Sequence, residues 1–423
     1  MRIYNLFPLL AGRFGEWRSH LERAAAMGFD WVFVNPVQEL GRSASLYSIG
    51  DYFHINHAFV DPASGRSAED QLRETAHLAK DLGLRMMGDL VINHCAADSP
   101  LVAQHPQWFA RAPDGSVAHP GCDLGNGERE VWFDLAQFDH DGSAEREGLF
   151  QYFLGVVKHC IGLGFTGFRC DAAYQVPAWL WRRLIYAVKQ EHPDVVFAAE
   201  TLGCQPQQTI DTAQAGFDYC FNSSKWWDFT SPWLMQQYEM TRDIVPSISF
   251  PESHDTERLF QESGGNENEM KQRYLFAALF SAAIMMPQGY EYGFRKKLHV
   301  VATRPSDWEQ PSIDLTGFIA HVNRIKADCP VFREESFNQL LIDDNPNILL
   351  MWKSAKRARQ EALIVLNKDV WQRQRFYTES LARYVQSPSP LQDLSVDWPM
   401  GFLPAPFEFE LLPGMARVLV TTT

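Results

Sequence analysis

Eight times along the 423 residues a short apolar run gives way to a turn, and between these runs lie stretches with helical spacing. The runs are Arg2 to Pro8, Trp31 to Pro36, Arg85 to Val91, Thr166 to Asp171, Val195 to Glu200, Phe217 to Phe221, Ser247 to Ser253 and Ala283 to Tyr290. Phe14 to Met27 and Ala68 to Leu82 read as amphipathic helices, the first with Trp17, Leu21, Ala24 and Ala25 on one stripe. Strands alternating with helices build a parallel sheet, and eight is the number that closes one into a barrel. The rhythm breaks twice. From Asn93 to about Gly142 the chain runs through HPQWFARAPDGSVAHPGCDLGNG, too long for an ordinary connection. Past about Glu335 helices stop, and Ile348 to Trp352, Ala362 to Asn367 and Phe407 to Leu412 read as strands between turns. The expected architecture is therefore α/β: a (β/α)8 TIM barrel over 1–93 and 143–334, a small inserted domain over 94–142 after strand three, and a C-terminal antiparallel β-domain over 335–423.

A formal charge of −14 argues against a polyanionic partner, because nucleic-acid binding depends on clustered Lys and Arg. Neutral substrates fit better. The seven cysteines are far apart and form no CxxC pair, which speaks against a zinc cluster or a disulfide framework and for reduced thiols. No run approaches the roughly 18 apolar residues of a membrane span, and MRIYNLFPLLAGRFGEW lacks a basic leader region and reads as the first strand. A cytoplasmic location without a membrane partner is expected; the oligomeric state is left open.

Active sites of parallel barrels lie at the carboxyl ends of the strands. Four ends carry charge: Asp89-Leu-Val-Ile-Asn93-His94, Gly167-Phe-Arg169-Cys-Asp171, Ala-Ala-Glu200 and Glu252-Ser-His254-Asp255. Arg169 and Asp171 are two positions apart, so they share a face of one strand, and the guanidinium favours the ionised carboxylate of a nucleophile. Cys170 between them points the other way, as a packing residue. Glu200 ends the next strand, where the carboxylates of Asp171 and Asp255 are expected to raise its pKa and make it a proton donor. A charged nucleophile facing a protonated acid at about 5–5.5 Å is the pair that retaining glycoside hydrolysis uses. His94, His254 and Asp255 are expected to bind sugar hydroxyls.

DLVINH, GFRCDAAYQ, the Glu200 region and ESHD, in this order, resemble the conserved regions of the α-amylase family, glycoside hydrolase family 13. The resemblance spans essentially the whole chain. It implies that Asp171 is the nucleophile, Glu200 the acid/base and Asp255 the third carboxylate, with Arg169, His94 and His254 in support. Tyr47, in LYSIGDY, matches the tyrosine that stacks on the sugar being cleaved. Tyr174-Gln175 stands where many α-amylases have Lys-His, which argues against a calcium requirement although Asn93 matches another family ligand. No cofactor or metal is expected to be required. HPQWFARAPDGS, DAAYQVPAWLWRRLI and QGYEYGF are similar to maltosyltransferases that use maltose 1-phosphate, whose extra N-terminal domain this chain is expected to lack.

Each residue has a plainer reading beside the functional one. Arg169 with Asp171 could be a salt bridge closing the barrel, but Glu200 and Asp255 at neighbouring strand ends favour a site. His54 and His57 in HINH read as a turn feature and not a metal pair. Of Trp226 and Trp227, one is expected in the core and one is a candidate sugar platform. Lys296 and Lys297 read as solvated surface, with a phosphate site as the alternative. The leading function is a glycosidase cleaving α-1,4-glucosidic bonds of maltooligosaccharides through a covalent intermediate. The alternatives are a glycosyltransferase of the same family and a carbohydrate-binding relative without activity, the last disfavoured because all three carboxylates are present.

Overall fold

The computed structural model describes residues 1–123 and 128–422. Eight parallel strands, neighbours in chain order, close on themselves: β1 (Arg2–Leu6), β2 (Trp31–Val34), β3 (Arg85–Leu90), β4 (Gly167–Cys170), β5 (Val196–Ala199), β6 (Tyr219–Phe221), β7 (Ser247–Ser249) and β8 (Ala283–Pro287), which pairs back onto β1. A major helix follows each strand: α1 (Arg18–Ala26), α2 (Ala68–Asp81), α3 (Arg146–Gly162), α4 (Ala178–Glu191), α5 (Pro206–Ala213), α6 (Trp233–Thr241), α7 (Glu267–Phe280) and α8 (Thr316–Asp328). The chain is a (β/α)8 TIM barrel with a C-terminal antiparallel β-domain.

The strands lack polar alternation because both their faces are covered. Outward residues such as Tyr4, Val32, Met86, Phe168, Phe197 and Ile284 join the core shared with the helices. Inward residues, among them Ile3, Trp31, Phe33, Met87, Ala198, Ile248 and Met285, fill the barrel itself. Trp31 occupies so much of the floor that the strand beside it carries glycine: a Cβ on Gly167 would lie 2.7 Å from Trp31 Cζ3. Arg85 closes the floor from below, its guanidinium 4.2 Å from the Trp31 ring centroid.

Between β3 and α3 the chain leaves the barrel and makes two short antiparallel pairs, His94–Ala96 with Leu135–Gln137 and Gly121–Asp123 with Arg129–Val131. Residues 124–127 of the expected insert, and residue 423 of the expected C-terminal domain, lie outside the described residues. Beyond α8, five antiparallel strands are ordered Phe337–Leu341, Ile348–Ser354, Glu361–Asn367, Ala416–Thr421, Leu391–Asp393, and Gln374–Thr378 pairs with Phe407–Leu411. At the junction with the barrel floor, buried Lys353 donates from Nζ to Phe280 O and to Asn338 Oδ1, each at 2.6 Å.

Some boundaries differ from the sequence reading. Strand seven ends at Ser249 and not Ser253, because Pro251 has no N–H to continue a ladder. Strand eight ends at Pro287, before Gly289 turns the chain at φ 90°. The first helix is a 3-10 turn, Phe14–Glu16, followed by α1. Among the described residues no helix is long and apolar enough to cross a membrane.

Candidate active site

The inward side-chain parity that fills the barrel continues upward into polar residues. Met87 leads to Asp89, Gly167 to Arg169 and Asp171, Ala198 to Glu200, Phe33 to Asn35, and Ile3 to Asn5. Register does the rest: Arg169 on β4 is the direct partner of Asp89 on β3 and of Ala198 on β5. The Arg169 guanidinium therefore meets three carboxylates. Its Nη1 donates to both oxygens of Asp89, at 3.0 and 3.1 Å, and to Asp171 Oδ1 at 2.7 Å. Its Nη2 lies 3.8 Å from Glu200 Oε2.

Glu200 is gripped at both oxygens by backbone. Leu202 N donates to Oε1 at 2.8 Å and Ala172 N to Oε2 at 2.9 Å. Ala172 reaches that position from a left-handed conformation, φ 39°, rare for a residue with a Cβ and of the kind that concentrates at functional sites. The turn immediately after Asp171 thus orients the side chain of Glu200.

One cation cannot neutralise buried Asp89 and Glu200 together with the half-buried Asp171, and protonation makes up the difference. Burial pushes Glu200 up to about 7, against the pull of Arg169, with Asp171 and Asp255 adding to the rise. Desolvation is the larger cause, ahead of the two neighbouring charges expected from the sequence. Asp89 is also raised to about 7, again by burial first, with Arg169 opposing. Both carboxyls are thus shifted toward the protonated form, each chiefly by its own burial.

The other expected residues surround this centre. Tyr47 donates from Oη to Asp89 Oδ2 at 2.7 Å and accepts from Asn35 Nδ2 at 2.9 Å. Its ring stacks on His254, centroids 5.7 Å apart and planes 6° from parallel. His254 Nε2 lies 2.7 Å from Tyr47 Oη and 3.1 Å from Asp255 Oδ2. Burial lowers the pKa of His254 and His94, which favours neutral imidazoles. His94 Nε2 is 3.1 Å from Tyr47 O, while Nδ1 of His94 and of His254 has no partner among the described residues. Asp255 is the outlying member: its side chain is 58% exposed and joins the cluster through His254. Asp171, Glu200, Arg169, Tyr47, His254 and Asp255 form one connected set, with His94 against its edge.

Several readings are refined. Glu252, counted among the charged strand ends, is a buried ion pair with Arg258 at 2.7 Å and caps Leu259 N. Trp227 is fully buried and Trp226 is 52% exposed. Lys296 pairs with Asp307 and Lys297 with Glu257. His54 pairs with Asp51, and His57 sits in a 3-10 turn. Asp89 was passed over as a site residue, as were Asn5 and Asn35; their signal was inward parity, legible for Asp89 two positions beyond Met87.

Asn93 Nδ2 donates to Gln175 Oε1 at 3.2 Å, Gln175 Nε2 to Gly121 O at 3.4 Å, and Asn93 Oδ1 has no partner among the described residues. Calcium takes six to eight oxygens. Where the family resemblance would put calcium, Asn93 and Gln175 are neutral amides that bond to each other and to the Gly121 carbonyl. Among the described residues no group of three or more His, Cys, Asp or Glu is placed to hold a metal.

The model of the glucanotransferase domain of glycogen debranching enzyme matches residues 1–110. The α-1,4-glucan:maltose-1-phosphate maltosyltransferase of Burkholderia pseudomallei is 26% identical over 383 residues, which cover 87% of this chain and 33% of that protein. Its counterpart from Arcanobacterium haemolyticum is 29% identical over 323 residues, covering 68% of this chain and 45% of that one. The chain thus spans a third to a little under half of the length of these curated relatives. The α-amylase of Geobacillus thermoleovorans, solved with acarbose, superposes with a TM-score of 0.78 at 16% identity, over 100% of this chain and 98% of that one. Motifs, relatives and fold point the same way: the chain is similar in sequence to the maltosyltransferases and to a glucanotransferase domain, and it shares the fold of the α-amylases.

Proposed function

We propose that this chain is a retaining α-glucan-active enzyme that cleaves α-1,4-glucosidic bonds of maltooligosaccharides through a covalent glycosyl intermediate on Asp171. The observation that carries this reading is the single guanidinium shared by Asp171 and Glu200, with Glu200 held protonated near pH 7 by its burial. Arg169 engages Asp171 Oδ1 and leaves the other carboxylate oxygen to attack the anomeric carbon. As that bond forms, the glycosidic C–O bond breaks and the Glu200 proton passes to the leaving oxygen. Glu200, now a carboxylate, takes a proton from the incoming acceptor, whose oxygen displaces Asp171 from the sugar. His254, His94 and Asp255 bind hydroxyls of the reacting ring, and Tyr47 offers its aromatic face.

Water is the acceptor in the leading reading. A second reading, transfer to the hydroxyl of another glucan, is favoured by the activity named for the relatives that align over most of this chain. The sites of both readings are the same. Maltooligosaccharides of graded length, incubated alone and with glycogen as acceptor, separate them when products are followed by proton NMR. Reducing ends in the α configuration support retention with hydrolysis, and elongated glucan without new reducing ends supports transfer. First-formed product in the β configuration overturns the proposal.

A further inference from the structure

Lined by none of the carboxylate-cluster residues, a cleft of about 200 Å³ lies between α7, α8 and the C-terminal domain. Leu275, Phe318 and Met415 form its apolar lining, and Asn268 and Lys271 on the first turns of α7 add polar groups, the Lys271 ammonium lying 2.6 Å from Glu267 Oε1. Asp397 and Trp398 complete the wall from the C-terminal side. Sites that engulf a drug-sized ligand run to roughly 300–1,000 Å³. This one is sized for a single ring held at a surface.

Trp398 is the unusual member. The residue is 66% exposed, and its backbone sits at φ 44°, a left-handed conformation that costs a bulky residue energy. The surrounding structure enforces it. The buried Arg417 donates from Nη1 to Asp393 Oδ2 at 3.0 Å, to Asp397 O at 3.0 Å and to Trp398 O at 2.8 Å. Asp393 Oδ2 also accepts from Met400 N at 3.0 Å, and the guanidinium is 3.5 Å from the Phe409 ring centroid. A fully buried ion pair thus fixes the loop that presents an indole to solvent. A second exposed tryptophan, Trp371 at 73%, sits in a turn tied to the same cleft: Asp369 O accepts from Gly414 N, and Val370 O accepts from Asn268 Nδ2.

Exposed indoles beside amide, ammonium and carboxylate groups match a ligand with one apolar face and a rim of hydroxyls, which is a pyranose ring. A partner protein or a lipid surface would need a broader apolar patch. Because α7 returns from the carboxyl end of β7, its first turns lie toward the barrel mouth, the side on which the carboxylates open. We propose that this cleft is a second carbohydrate site, which holds a non-reacting stretch of an α-glucan chain by stacking one glucose on Trp398 with Asn268, Lys271 and Asp397 on its hydroxyls. The proposal rests on the α-glucan reading above.

The test is native electrophoresis of the whole chain in gels containing glycogen, with kinetics on maltotetraose in parallel. Trp398→Gly suits the positive φ and keeps the fold, and Lys271→Ala is an independent probe of the same cleft. Loss of the stacked ring is expected to weaken glycogen retention about tenfold and Lys271→Ala to weaken it less, with kcat/KM on maltotetraose within twofold of wild type. Wild-type retention in both variants overturns the second site. If the wild type turns over maltotetraose while binding glycogen no better than Trp398→Gly, this proposal alone fails. If the wild type neither binds nor turns over any α-glucan, the underlying reading fails and this one with it.

Discussion

Replacing Glu200 with glutamine separates the electrostatic account of the site from the catalytic one. In the folded chain Glu200 binds its proton up to about pH 7, whereas its ordinary value is 4.5. Between those values the native state keeps a proton that the unfolded chain has released. The carboxyl's contribution to stability is therefore complete below pH 4.5 and is lost as pH rises through 7. At about 1.4 kcal/mol per pH unit the loss comes to about 3 kcal/mol. Glutamine does not titrate, so Glu200→Gln lacks this slope. It keeps one acceptor for Leu202 N or Ala172 N and turns an N–H toward the other, a pH-independent penalty of about 1–3 kcal/mol. The sign of the difference at any one pH is therefore uninformative, and its change with pH is the test. With an unfolding entropy of roughly 2 cal/mol/K per residue, 3 kcal/mol corresponds to about 3–4 °C in Tm for a chain of this length. Calorimetry of both proteins from pH 4.5 to 8 should show the Tm difference moving by that amount in favour of the variant. A difference that stays constant would mean that Glu200 is not held protonated by its surroundings, and the acid role would lose its physical basis.

Other outcomes follow from the same contacts. For wild type, kcat/KM on maltooligosaccharides should fall as pH rises through about 7, as Glu200 loses the proton it donates; a pH–rate profile checks this. Arg169→Ala leaves buried Asp89 and Glu200 and half-buried Asp171 without their cation and should cost about 3–5 kcal/mol in urea denaturation, far more than removal of a surface charge. Gly167→Ala should destabilise by about 1–3 kcal/mol, because the added methyl meets Trp31 across the barrel floor. Burial brings Lys353 down from 10.5 to about 7, so its favourable contribution is present above pH 10.5 and lost as pH falls through 7. The stability of wild type relative to Lys353→Met should accordingly rise with pH across that window in denaturant titrations.

The barrel was legible because each strand is an apolar run with its own turn, a local signal. The pairing of Arg169 with Asp171 was legible too, since two-residue spacing on one strand fixes a shared face. The inward parity of Asp89 was legible as well, but its central place was not, because that depends on a register partner 80 residues away. The cause of the Glu200 shift was missed for a related reason: sequence shows neighbouring charges, whereas burial is a property of the closed barrel. Strand ends were over-extended where a proline, invisible to hydrophobic periodicity, removed the next ladder donor. The exposed tryptophans of the C-terminal domain could not be singled out from sequence, because composition does not distinguish Trp398 from the buried Trp227.

The most direct measurement is the site of the covalent bond. Glu200→Gln, mixed with an activated α-maltosyl donor whose leaving group needs no acid, should accumulate the glycosyl-enzyme, which denaturing mass spectrometry detects and peptide fragmentation locates. A maltosyl increment on Asp171 is the predicted result. An increment on another residue, or turnover of the donor with inverted product and no adduct, would contradict the account.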